Sequence, residues 1–60
     1  MSEQLKNAME NLAAVILTEY REQGFERMGC SLPRYVEAVI GKDFAEEMTI
    51  RAQLARMQQQ

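Results

Sequence analysis

Hydrophobic side chains recur every three or four residues through the first third of the chain. They are Leu5, Met9, Leu12, Ile16 and Tyr20, with Ala8 and Val15 widening the row. This spacing stacks the side chains on one face of an α-helix. Ser2 is a good N-cap residue, and Gly24 is the residue type that ends a helix in the left-handed conformation. The pattern predicts a first helix over about residues 3–23, with Phe25 folded back onto Tyr20 in a Schellman motif.

A second, shorter helical pattern follows a loop that is bracketed by glycines. Its apolar positions are Leu32, Tyr35, Val36, Val39 and Ile40, which is the stripe of a helix that faces a core. Ser31 can cap this helix, and Pro33 lies in the first turn, where a missing N–H costs nothing. Gly41 can end it. The pattern predicts a helix over residues 32–40.

A third helical pattern begins after the tight turn Gly-Lys-Asp. Asp43 is expected to be its N-cap, with Glu46 three residues later completing a variant of the capping box. Glu47 and Arg51 have the spacing of a helical ion pair. The pattern predicts a helix over about residues 44–57 and a frayed tail at 58–60. Two apolar faces share this helix: Phe44, Ala45, Met48, Ala52 and Ala55 on one side, and Ile50, Leu54 and Met57 on another.

These elements predict an all-α protein with a long, a short and a medium helix in one domain over residues 1–60. Short connections favour a small three-helix bundle or an open helical hairpin. The middle of the first helix, residues 12–17, is apolar all round, and two short helices can hardly cover it. We therefore expect a homodimer. The residues expected to mediate self-association are Leu12, Val15, Leu17, Ile50 and Leu54.

Aromatic and basic residues gather around the first loop. Tyr20, Phe25 and Tyr35 either form a small aromatic core beneath the loop or present an aromatic hot spot to a partner. Met28 is the methionine best placed for an adaptable interface. Under the second interpretation, the residues expected to bind a partner are Tyr20, Phe25, Arg27 and Met28.

Catalytic chemistry has few candidates in this sequence. It contains no His and one Cys, Cys30, so a thiol nucleophile would have no histidine base. A lone Cys closes no intrachain disulfide, and no Cys/His cluster could hold zinc. Cys30 is interpreted as a buried or half-buried structural residue, with a redox-sensitive thiol as the alternative. We expect no enzyme activity, no cofactor and no metal site.

Charge and hydropathy narrow the choice of partners. The net charge is −2, and residues 1–30 hold three basic against five acidic side chains. Neither half is a basic arm for phosphates. The longest apolar run, residues 12–17, is far shorter than the roughly 20 residues of a membrane span. We expect a cytoplasmic protein that binds a larger protein, with neither membrane nor nucleic acid as its partner.

A DNA-binding helix-turn-helix is the alternative function that the second half of the chain allows. Residues 31–57 follow that outline, with a Gly in the turn. The recognition helix, however, would present Asp43, Glu46 and Glu47 at the end where base and phosphate contacts normally lie. Arg34, Lys42, Arg51 and Arg56 would have to gather on one face for this alternative to hold.

Three parts of the chain, which together span about half of it, share a pattern with a known family: Leu12-Ala13-Ala14, the run Pro33-Arg34-Tyr35-Val36-Glu37-Ala38-Val39, and Arg51 and Arg56 near the end of the third helix. In these residues the chain resembles the theta subunit of bacterial DNA polymerase III. That family has three helices, no activity of its own, and a proofreading exonuclease as its partner. This chain departs from it in a longer first loop and a shorter C-terminus.

The size, acidity and helical pattern also resemble the small early proteins of lambdoid bacteriophages encoded between exonuclease and excisionase. That resemblance implies a phage protein that adjusts host replication or phage development. Together the two resemblances imply a small helical regulator that acts on bacterial machinery inside a bacterial host cell.

Overall fold

The computed structural model describes residues 2–58, and they form three helices. Helix α1 is Glu3–Glu22, α2 is Leu32–Ile40 and α3 is Lys42–Gln58. The all-α class and the order long, short, medium are confirmed. Gln58 is the last residue of α3, and the remainder of the predicted frayed tail, residues 59 and 60, lies outside the described residues.

Both ends of α1 are capped as the sequence predicts. The Ser2 hydroxyl accepts a hydrogen bond from the Leu5 N–H at 3.2 Å. At the other end, Gly24 has φ +78° and donates to the Arg21 carbonyl, while Phe25 donates to the Tyr20 carbonyl, both at 3.2 Å. This pair of bonds is the Schellman motif. The chain therefore leaves α1 in a fixed direction.

The connection between α2 and α3 is tighter than expected. Ser31 caps α2, since its hydroxyl accepts from the Arg34 N–H at 3.4 Å, and Gly41 ends it with φ +88°. Helix α3 begins at Lys42, so the prediction of Asp43 as its N-cap is wrong. The whole change of direction occurs at Gly41, and Asp43 lies inside the first turn. Its carboxylate is still favourable there, because the helix dipole is positive at that end.

The core is small and is built around α3, which packs against both other helices, whereas α1 and α2 touch each other less. Alanines of α1 and α3 are buried in it. The buried residues are Ala13, Ile16, Leu17, Tyr20, Leu32, Val36, Ala45, Met48 and Ala52. Because so short a chain covers only part of its apolar surface, many large side chains stay exposed.

Candidate interaction surfaces

One apolar surface runs along α1. It consists of Leu5, Ala8, Leu12 and Val15, and we call it the α1 stripe. Leu5 and Val15 are each 59% exposed, and Leu12 is 45% exposed. Helix α3 packs on a different side of α1, as shown by the 3.9 Å approach of Arg51 to Glu10. The α1 stripe therefore has no covering element within the described residues.

The expected role of Leu17 in self-association is wrong. Its side chain has no exposed surface, because α3 and α2 close over this part of α1. The apolar middle of α1 is thus divided: Ala13, Ile16 and Leu17 belong to the core, and Leu12 and Val15 face outwards. One-dimensional periodicity shows that residues 12–17 are apolar, but not where around the helix the neighbouring helices lie.

A second apolar surface lies on α3, on the side away from the core. Ile50 is 56% exposed, Leu54 is 52% exposed and Met57 is 68% exposed. We call these three residues the α3 outer face. Its separation from the buried face of Ala45, Met48 and Ala52 agrees with the two-face pattern of the sequence. Phe44 differs from that pattern: it is 60% exposed, because it lies at the edge of the inner face in the first turn.

Ion pairs line the groove between α1 and α3. Arg51 contacts Glu47 at 3.1 Å, which confirms the helical pair expected at this spacing, and it also approaches Glu10. An open cavity of about 320 Å³ lies beside these groups, with Asn11 and Ala14 on its α1 side. Because Arg51 lies between two carboxylates, its charge is neutralised within the chain.

The loop from Gly24 to Ser31 is held at several points. Its backbone turns are closed by hydrogen bonds, including Met28 N–H to the Gly24 carbonyl at 3.1 Å and Cys30 N–H to the Phe25 carbonyl at 3.0 Å. The Glu26 carboxylate forms an ion pair with Arg56 in the last turns of α3. The backbone of the loop, including its tip, therefore has a defined conformation.

The aromatic residues form a core beneath this loop. The ring centroid of Tyr35 lies 5.4 Å from that of Tyr20 and 4.8 Å from that of Phe25. The Tyr20 hydroxyl donates to the Cys30 carbonyl at 2.6 Å. Burial raises the pKa of Tyr20, with a smaller contribution from the negative charge of Glu26. Of the two interpretations of these rings, the aromatic core is the one present.

Tyr20 is consequently not a surface residue, and its expected role in binding a partner is wrong. It is 2% exposed, since the loop and α2 cover its ring. Phe25 is only partly buried, Arg27 is exposed and Met28 is 68% exposed. Cys30 is half-buried, and its thiol contacts the Ser31 carbonyl at 3.6 Å. Two of the four residues predicted to bind a partner, Arg27 and Met28, are therefore exposed at the tip of the loop.

Sequence reasoning missed two further exposed apolar residues besides Phe44, namely Leu5 of the α1 stripe and Val39 of α2. Val39 was assigned to the core-facing stripe of α2 but is 51% exposed. Pattern alone could not have found this, because it does not show that α2 packs mainly on α3 and less on α1.

Comparisons with known proteins add no further information. The sequence matches no protein-family model, no curated protein and no solved structure. Among residues 2–58 there is no group of three or more His, Cys, Asp or Glu side chains that could hold a metal ion. None of the helices in this part of the chain is long and apolar enough to cross a membrane.

Proposed function

We propose that this protein is a non-enzymatic regulatory module that acts by binding other protein chains. The observation that carries this proposal is the exposure of large apolar side chains on two helix faces, the α1 stripe and the α3 outer face. Apolar patches that a soluble chain leaves uncovered typically mark sites of protein interaction. A 60-residue chain also gains stability when such faces become covered.

The partner surface of this proposal is the tip of the loop, at Arg27 and Met28, both of which are exposed. Met28 supplies a flexible apolar contact and Arg27 a cation, a combination common in interface hot spots. The ion pair between Glu26 and Arg56 joins the loop to the last turns of α3. Because the backbone of the loop is already ordered, binding there loses little conformational entropy.

We further propose that the partner is a larger bacterial protein of the replication or regulatory machinery and that the chain is phage-encoded. The support for this is the resemblance of residues 33–39 to the theta subunit and of the whole pattern to small phage early proteins. On this proposal the protein acts in the bacterial cytoplasm, where it adjusts host replication or phage development.

The test is affinity capture from nuclease-treated bacterial lysate, followed by binding measurements with the purified captured protein. Three forms of the tagged chain are compared: the parent, Arg27→Glu/Met28→Asp at the loop, and Leu54→Glu as a control on α3. We expect one protein at near-stoichiometric yield, with at least tenfold weaker binding for the loop variant alone. Equal capture by all three forms would refute the loop as the partner surface, and no specific capture would refute the proposed function.

The same capture repeated without nuclease treatment tests the helix-turn-helix alternative. Two of the four cations that it needs, Arg51 and Arg56, are already paired with carboxylates. The start of α3 exposes Asp43, Glu46 and Glu47, which would repel the DNA backbone. Recovery of nucleic acid in the absence of nuclease, with binding that weakens steeply as salt rises, would favour DNA binding over the proposal made here.

A further inference from the structure

We propose that the α1 stripe is covered by the α1 stripe of a second copy of this chain, with the two helices antiparallel. This deepens the proposed function, because it chooses between the two apolar surfaces and gives one of them a specific occupant. It rests on the proposed function in one respect, that the exposed apolar faces bind other chains, and it is independent of the partner at the loop.

The spacing of the stripe is the first argument. The intervals between successive residues of the stripe are three, four and three, so they are the same in both chain directions. The residues are Leu5, Ala8, Leu12 and Val15. Two such helices related by a twofold axis near residue 10 place Leu5 against Val15 of the second copy. The same axis places the small Ala8 against Leu12 of the second copy, so that a large side chain meets a small one. An isologous dimer requires a surface that is complementary to itself in this way.

The distribution of charge is the second argument. The residues between the stripe and the groove that faces α3 are Gln4, Asn11 and Thr18, all exposed and all uncharged. The charged residues of this part of α1 lie elsewhere: Glu10 approaches Arg51 of α3. From Leu5 to Val15, this side of α1 therefore carries no charge; the next residue of the same row, Glu19, is exposed and lies one turn beyond Val15. In the antiparallel arrangement the Glu19 carboxylates of the two copies lie at opposite ends of the interface, so the copies meet without like-charge repulsion, whereas a parallel arrangement would bring the two carboxylates together.

The α3 outer face lacks this self-complementarity. Asp43, Glu46 and Glu47 are exposed in the first turns of α3, beside Ile50. Two copies of this face packed in parallel would bring these carboxylates together. In the antiparallel arrangement that pairs Ile50 with Leu54 of the second copy, Glu47 would face the apolar Met57. Both arrangements carry an electrostatic or desolvation penalty, so the α3 outer face is the poorer choice for a second copy.

The two surfaces are also separate in space. At 100° per residue, the middle of the α1 stripe lies roughly 130° around the helix from the side that faces α3. Glu10, Asn11 and Ala14 mark that α3-facing side, since they line the groove with α3. A dimer formed through α1 thus leaves the α3 outer face and the loop tip accessible for a different protein.

The stripe is short, which sets the expected affinity. It extends over roughly 15 Å of helix, so it buries less than the roughly 800 Å² per partner of a standard interface. We therefore expect a dimer that dissociates on dilution through the micromolar range. Leu12→Glu places a charge at the centre of the interface, while Leu54→Glu makes the same change at a similarly exposed site on α3.

Sedimentation equilibrium of the purified chain tests the association. We expect the parent and Leu54→Glu to dimerise alike, and Leu12→Glu to stay monomeric at ten times the concentration that half-dimerises the parent. Circular dichroism checks that both variants keep the helical content of the parent. A parent that is monomeric at millimolar concentration, or a dimer that survives Leu12→Glu and is lost with Leu54→Glu, would overturn the proposal.

Disulfide crosslinking tests the orientation. In a Cys30→Ser background, chains with Gln4→Cys are mixed with mass-tagged chains that carry Thr18→Cys. The antiparallel arrangement predicts disulfides between a Gln4→Cys chain and a Thr18→Cys chain. Parallel helices would instead give disulfides between two chains that carry the same substitution. A predominance of disulfides between identical chains would overturn the proposal. Because the purified chain alone is used, these results are distinguishable from a failure to capture a protein from lysate.

Discussion

Tyr20 connects the end of α1, the loop and α2 through a single side chain. Its ring packs on Tyr35, and its hydroxyl bonds the Cys30 carbonyl ten residues further along the chain. Burial of a tyrosine is favourable when the hydroxyl finds such an acceptor. Tyr20 therefore holds the loop against the helices, a role that its position in the periodic row did not reveal.

Replacing Tyr20 by Phe should destabilise the protein by about 1–2 kcal/mol, because the partly buried Cys30 carbonyl loses its donor. Urea denaturation followed by circular dichroism measures the change in the free energy of unfolding. Tyr35→Phe is the matched control, since that residue contributes ring packing to the same cluster. A loss as large in the control as in Tyr20→Phe would contradict the importance of the hydrogen bond.

The raised pKa of Tyr20 also predicts a pH dependence. Burial favours the neutral phenol, so the folded-state pKa lies above the ordinary value of 10.0. The contribution of Tyr20 to stability is fully present below pH 10 and is lost as the pH rises through the folded-state pKa. Unfolding free energies measured from pH 8 upwards should fall less steeply in Tyr20→Phe than in the parent. Parallel curves for the two proteins would contradict this assignment.

At the scale of the helices, the ends were more predictable from sequence than the faces. The predicted capping residues do cap or end their helices, because capping depends on residues that are close together in the chain. They are Ser2 and Ser31 at the N-termini and Gly24 and Gly41 at the C-termini. Asp43 was misassigned because a Gly can complete a turn by itself. Leu17 and Tyr20 were misassigned because their burial depends on where α2 and α3 cross α1, which no local pattern contains.

Gly24→Ala tests whether α1 ends where it does because Gly24 adopts the left-handed conformation. A Cβ at this position would meet no atom within 4 Å, so its cost is the backbone strain at φ +78° alone. That strain should destabilise the protein by about 1–2 kcal/mol. Gly24→Asn should cost less, since Asn tolerates the left-handed region better than Ala. Thermal denaturation of the two variants measures the difference, and equal melting temperatures would refute the argument.

For the whole molecule, stability and self-association are linked. A chain of 60 residues has a small core, so covering the α1 stripe should add measurably to its stability. The melting temperature of the parent should therefore rise with protein concentration, and that of Leu12→Glu should not. Scans at two concentrations a hundredfold apart provide the check. A melting temperature independent of concentration in both proteins would show that the dimer contributes nothing to folding.

The ion pair between Glu26 and Arg56 joins residues 30 positions apart, and it has a further consequence. Both side chains are partly exposed, so dissolved salt weakens their attraction. The amide protons of the loop should then exchange with solvent faster as ionic strength rises, while those of the buried segment around Ala13 keep their protection. The surrounding electrolyte should thus modulate the order of the loop, which its backbone hydrogen bonds also maintain, whereas the order of the helices beneath it depends on their apolar packing.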